Sequence, residues 1–132
     1  MEGEGSAPTP QAAPQQPPEP KPEPQSRISI EEFARIELRA GEVLEAEKVA
    51  GSKKLVRMVV DLGDEKRQVV AGIGRKYSPE QLLKKKVILV ANLQPARLMG
   101  VESNGMVLAA VAGDEPILAG FQEDVPNGTR LR

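Results

Sequence analysis

Lys53, Lys54, Arg57 and Arg67 fall close together in the middle of the chain. Ammonium and guanidinium groups pair with phosphate or carboxylate oxygens, so such a group is suited to holding a polyanion. Little other chemistry is on offer. The 132 residues include no cysteine and no histidine, which removes disulfides, thiolate nucleophiles, imidazole bases and the usual zinc sites. Carboxylates, lysines and hydroxyls remain, and no acid, base and nucleophile stand at recognisable spacing. The expectation is a non-catalytic protein with no catalytic residues, no metal and no cofactor.

The net charge of −1 conceals a partition. Residues 48–97 carry twelve basic and four acidic groups, whereas residues 1–26 carry one and four, 27–47 three and six, and 98–132 two and five. A basic island in a near-neutral chain suits salt-sensitive binding to phosphates, although ordinary solvated lysines give the same counts. The aromatic residues are only Phe33, Tyr77 and Phe121, none among these cations. Stacking of single-stranded bases is therefore nearly ruled out. A folded RNA, recognised by its shape and its phosphates, fits better.

Other candidates carry less. "AGIG" at 71–74 lacks the third small residue of a dinucleotide fingerprint, since position 77 is tyrosine. Asp61, Asp64 and Glu65 are explained by a hairpin turn without any metal. Lys84, Lys85 and Lys86 sit where a helix is expected to end, a place that favours cations regardless of a partner. Ser103-Asn104-Gly105 precedes an apolar run, and Asn-Gly is a common hairpin turn.

The elements that must position these residues can be read from pattern. Eight of the twelve prolines lie in residues 1–26, a segment without periodicity that reads as a disordered, polyproline-like tail or linker. The domain is expected over residues 27–132. Ser29 and Glu32 have capping-box spacing for a helix reaching Arg35. "IELRAGEVLEAEKV" follows as a long strand, with Gly41 as its bulge or bend. "LVRMVVDLGDEKRQVVAGI" alternates as a hairpin with Arg57 and Arg67 on its strands. Ser78, Pro79 and Gln81 start a helix of about two turns. "KVILVANL" and "GMVLAAVA" are apolar on both faces, as interior strands or strands at a subunit contact are, and "PILAGF" and "TRLR" supply short last strands. A strand meander with one inserted helix and a bent first strand predicts a mostly all-β, five-stranded OB-fold barrel with one short helix and extra C-terminal strands.

The segments "ISIEEFARIELRAGEV", "GSKKLVRMVVDLG", "VVAGI", "VANLQP" and "GVESNGMVLAA" occur in an order that resembles the tRNA-binding domain found at the C-terminus of bacterial methionyl-tRNA synthetase, in a free-standing bacterial tRNA-binding protein and in eukaryotic synthetase-associated factors. The resemblance covers residues 28–132 and includes the "S-x-G-M" element at Ser103 to Met106. It implies an oligonucleotide-binding barrel that pairs into a homodimer and binds the outer corner of folded tRNA. It also implies contacts from the first hairpin (Lys53, Lys54, Arg57 and Arg67), from the asparagine of "A-N-L" (Asn92), and from the loop that follows (Arg97, Ser103, Asn104 and Met106).

Two segments depart from that pattern. "QPARLMG" keeps only Arg97 where the family carries a basic run, which predicts weaker binding, and "ELRAG" replaces "D-L-R-V-G". The resemblance leaves three readings: a C-terminal module joined by its Pro-rich tail to a synthetase catalytic body, a free-standing tRNA binder, and a purely structural dimerisation domain with an incidental basic patch. A cytoplasmic location is expected, because no apolar run is long enough to span a membrane.

Overall fold

The computed structural model describes residues 26–132, so the expected Pro-rich tail lies, but for Ser26, outside the described residues. A short helix α1 (Ile30–Ala34) leads into β1 (Leu38–Lys48). β2 (Val56–Asp61) and β3 (Lys66–Ala71) form the expected hairpin, and Val56, Met58 and Val60 are fully buried while Arg57, Val59 and Asp61 between them are only half-buried. That two-residue period puts one face of the ribbon in the core. Each fully buried Val or Leu contributes about 1.5–3 kcal/mol.

The helix α2 (Pro79–Leu82) has the expected capping box: the Ser78 hydroxyl accepts from Gln81 N, and the Gln81 side chain accepts from Ser78 N. It lasts one turn instead of two. Leu83 is already extended, Lys84 turns left-handed at φ 67°, and Lys84 N donates to Val43 O at 2.7 Å. The triple lysine thus follows the helix's C-cap directly, with Lys85 N donating to Leu82 O at 3.1 Å, and leads at once into the pairing of the next strand with β1. Competition between one more helical turn and this sheet edge explains the early stop.

β4 (Lys86–Val90) is buried on both faces, as expected. β5 (Ala96–Leu98) and β6 (Val101–Ser103) form a small antiparallel hairpin that pattern alone does not reveal. Its two-residue turn has Met99 at φ 52° and Gly100 at φ 81°, the paired positive angles of a tight hairpin turn, with a methionine in a place usually taken by Asn or Gly. β7 (Met106–Val107), β8 (Ala109–Ala112), β9 (Glu115–Leu118) and β10 (Arg130–Leu131) complete the chain.

The main sheet runs β3-β2-β1-β4-β7, all antiparallel, with β10 added to the first residues of β1. β1 serves both halves: Leu38–Glu42 pair with β4 and Glu42–Lys48 with β2. Its bulge lies between Val43 and Glu45, not at Gly41. Gly41 answers a different need, because a Cβ there would collide with the Val60 methyl group. The edges β3 and β7 are brought back together where Asn104 N donates to Gln68 O at 2.7 Å. The result is a five-stranded barrel of the oligonucleotide-binding type with a short inserted helix.

"GMVLAAVA" is not one interior strand. β7 pairs with β4 only through Met106 and Val107, opposite Val90 and Leu89, Leu108 N still donates to Ile88 O at 2.9 Å, and the chain leaves the barrel after it. β8 pairs with β9 in a separate ribbon turned at Gly113, and Val111 is 73% exposed. Ala and Val are apolar enough to resemble a core strand, but too few core neighbours remain to cover them. The Tyr77 hydroxyl accepts from Leu118 N at 3.1 Å and so ties the ribbon to the barrel.

Candidate nucleic-acid interface

Lys53 and Lys54 lie in the turn between β1 and β2. Ser52 Oγ accepts from Lys54 N at 3.2 Å and from Leu55 N at 3.0 Å, and Gly74 N donates to Lys54 O at 2.7 Å, so the backbone carrying both lysines is fixed. Their side chains are exposed and have no ion-pair partner among the described residues. Two free ammonium groups on a held loop are well placed to receive phosphate oxygens.

The arginines are differently engaged. Arg57 donates to Glu47 at 2.9 Å, to Gln68 at 3.1 Å and to Glu45 at 3.4 Å. The Glu47 hydrogen bond, reinforced by the charges of both carboxylates, raises its pKa against partial burial. Arg67 donates to both carboxylate oxygens of Glu65 and to the carbonyls of Ala91 (2.7 Å) and Asn104 (3.3 Å). They do not share one surface. The register opposes Arg57 to Val70 and Arg67 to Val60, so Arg57 projects from the outer face of the ribbon and Arg67 from the core face, at the barrel's mouth.

The Ser103 side chain is buried, at 5% exposure; its Oγ accepts from Val70 N at 2.9 Å and donates to Gly105 O at 3.0 Å. The hydroxyl expected to face a ligand is thus used as part of the barrel's seam. Asn92 is likewise occupied: its Oδ1 accepts from Glu37 N at 2.9 Å and its Nδ2 donates to Arg35 O at 2.6 Å, which anchors the end of α1. Arg97 is exposed on β5 and donates to Gly100 O at 3.1 Å.

Six of the nine expected residues divide among three places, while Arg57 on the outer face of the ribbon, Ser103 in the seam and Arg97 on β5 line neither hollow. Asn104 and Arg67 join Lys66, Gln68 and Glu102 around a polar recess of about 290 Å³. Met106 and Asn92 instead line an apolar groove of about 690 Å³ with Phe33, Ile36, Leu93 and Leu108. Lys53 and Lys54 stand in their turn, apart from both hollows. Lys66 and Gln68 were not singled out by sequence reasoning; the only signal for Lys66 is its place beside Arg67 at the start of a strand, without a carboxylate partner among the described residues.

The acidic turn explains itself. Asp61 accepts from Gly63 N at 2.8 Å, Asp64 pairs with Arg39 at 3.0 Å, and Glu65 is shared by Arg67 and Arg39. No helix among the described residues is long and apolar enough to cross a membrane.

A nearly closed β-barrel with two unpaired lysines in its first turn and a polar recess elsewhere belongs to the oligonucleotide-binding class of small barrels. Residues 38–130 match the family model described as "Putative tRNA binding domain", and the chain belongs to that family. Among curated proteins it is 56% identical over 105 residues to the methionine–tRNA ligase of Methanococcus aeolicus, covering 79% of this chain and 15% of that protein. It is 50% identical over 107 residues to that of Thermotoga maritima, covering 81% and 17%. The chain thus spans about a sixth of the length of these relatives. Among solved structures it resembles a protein related to methionyl-tRNA synthetase from Pyrococcus horikoshii (TM-score 0.76, 39% identity, 80% of this chain and 98% of that one). It also resembles the chaperone CsaA of Bacillus anthracis (TM-score 0.74, 30% identity, 80% and 99%).

Proposed function

We propose that this chain is a non-catalytic module that holds folded tRNA by its phosphate backbone and shape, in the cytosol, as the C-terminal part of a methionine–tRNA ligase. The observation that carries the reading is the pair of unpaired, backbone-fixed lysines, Lys53 and Lys54, in a chain of the tRNA-binding domain family. Lys66 and Asn104 extend the polar surface at the recess. Tethering such a module to a catalytic body raises the local concentration of tRNA there. The same barrel acting alone is the variant supported by the Pyrococcus horikoshii structure, which it covers almost end to end.

Two copies pair through the apolar groove in this reading. Ile36, Leu93 and Met106 are 40%, 44% and 48% exposed around it, more apolar surface than a small monomer gains by showing to water. A purely structural role as a dimerisation domain is the second reading, favoured by the carboxylates that already occupy Arg57 and Arg67.

Fluorescence anisotropy with a folded tRNA, a length-matched unstructured RNA and single-stranded DNA at several salt concentrations tests the proposal. Preference for the tRNA with a clear salt slope, lost in the variant carrying both Lys53→Ala and Lys54→Ala, is the expected result. Equal or absent binding to all three would leave the structural reading in its place.

A further inference from the structure

The chain contains two Asn-Gly dipeptides, Asn104-Gly105 and Asn127-Gly128, and the fold treats them oppositely. Asn127 is clamped: its Nδ2 donates to Glu42 at 3.2 Å and Asp61 at 3.3 Å, and Gly128 N donates to Ala40 O at 2.7 Å. At the other dipeptide the backbone is pinned by Asn104 N donating to Gln68 O and by Arg67 donating to Asn104 O. Its reactive groups are not held. Among the described residues no hydrogen bond engages the Asn104 carboxamide or the Gly105 N–H.

We propose that Asn104 is a site of spontaneous deamidation, and that the carboxylate it produces weakens the binding of RNA at the recess. The Gly105 amide nitrogen loses its proton and attacks Asn104 Cγ, forming an N–C bond. The Cγ–Nδ2 bond breaks, and ammonia leaves with the proton. Water then opens the succinimide ring at one carbonyl or the other, giving aspartate or isoaspartate. A glycine on the C-terminal side leaves the attacking nitrogen unscreened. The same glycine is demanded by the fold, because Gly105 has φ +141° and a Cβ there would stand 3.1 Å from Leu89 Cδ1 and 3.2 Å from Val90 O. The vulnerable partner is therefore set by geometry, while the choice of Asn at 104 is open.

The consequence at the recess rests on the tRNA reading above. A carboxylate at 104 joins Glu102 and faces Lys66 and Arg67, so it competes with phosphate for the cations that line the recess. The isoaspartate product adds a backbone carbon between the Ser103 seam and β7, which disturbs the join between the barrel's edges as well.

The experiment ages the full chain in mildly alkaline buffer, folded and in denaturant, and maps both dipeptides by peptide mass spectrometry with isoaspartate detection. Expected is conversion at Asn104 with Asn127 intact in the folded protein, and conversion of both in the unfolded chain. Equal rates at the two sites in the folded protein, or conversion of Asn127 first, would overturn the assignment. In parallel, aged protein and the Asn104→Asp variant should bind folded tRNA more weakly than fresh protein, by up to roughly fivefold, the upper end for one exposed charge pair. Whatever affinity fresh Asn104→Gln shows, ageing should not change it. Unchanged affinity after full conversion overturns the weakening. Fresh protein that binds no tRNA refutes the tRNA reading and with it this weakening, while the mapping still decides the chemistry.

Discussion

Ser103 Oγ accepts the hydrogen bond of Val70 N across 2.9 Å, and this bond joins the end of β6 to β3, one edge of the main sheet. The same hydroxyl donates to Gly105 O, so one small side chain satisfies two backbone groups at a site only 5% exposed. Ser103→Ala leaves the Val70 N–H and the Gly105 carbonyl without that partner. The expected cost is about 1–3 kcal/mol, visible as a lower denaturant midpoint at unchanged slope. Affinity for tRNA, measured where both proteins are folded, should barely change. An affinity loss with intact stability would instead make the hydroxyl a contact.

Arg57 offers a sharper test of the interface, because Glu47 and Glu45 already hold its guanidinium. Its raised pKa, owed first to the Glu47 hydrogen bond, keeps it charged at every pH at which tRNA remains folded. If Arg57 faces phosphate, its carboxylates compete with the RNA. Glu47→Gln should then tighten tRNA binding severalfold and steepen the salt dependence, at a stability cost below about 1 kcal/mol for an exposed pair. Weaker binding after Glu47→Gln would show that Glu47 holds Arg57 in its binding position, the reverse of competition.

Much of this barrel was readable from pattern, and the failures share a cause. The β2–β3 ribbon and the cap of α2 follow from local chemistry: alternation at Val56, Met58 and Val60, and the Ser78/Gln81 box. What was lost depends on distant partners. The bulge falls near Leu44 because β1 changes partners there, and the left-handed Lys84 follows from a bond to Val43. For the site, residue types singled out polar and charged side chains but not what occupies each of them. Ser103, Asn92 and Arg67 are polar in the sequence whether they meet a ligand or their own backbone, and only the fold distinguishes the two.

Gly41 makes a prediction about packing alone. A methyl group there meets Val60 Cγ1 and, at 3.0 Å, Leu62 Cδ2, both on residues that are fully buried. Gly41→Ala should destabilise the barrel by about 1–3 kcal/mol through overpacking. Thermal unfolding checks it. Adding Val60→Ala should recover part of the loss, because the two changes occupy the same space and are not additive.

The groove gives the proposed pairing a variant that does not depend on the core. Ile36 lies at the rim, 40% exposed, beside the Arg35 carbonyl that Asn92 anchors. A glutamate there can point into water in a monomer, so Ile36→Glu should leave thermal stability at low concentration nearly unchanged. In a dimer sealed by Phe33, Ile36, Leu93 and Met106, it places a charge in an apolar contact, where desolvation costs several kcal/mol. Sedimentation of the wild-type chain at micromolar concentration should report twice the mass of one chain, and the variant should report one. Because Lys53 and Lys54 stand outside this groove, the monomeric variant should keep tRNA binding per chain while losing any gain from two linked sites. A wild-type chain that sediments as a monomer would refute the pairing directly.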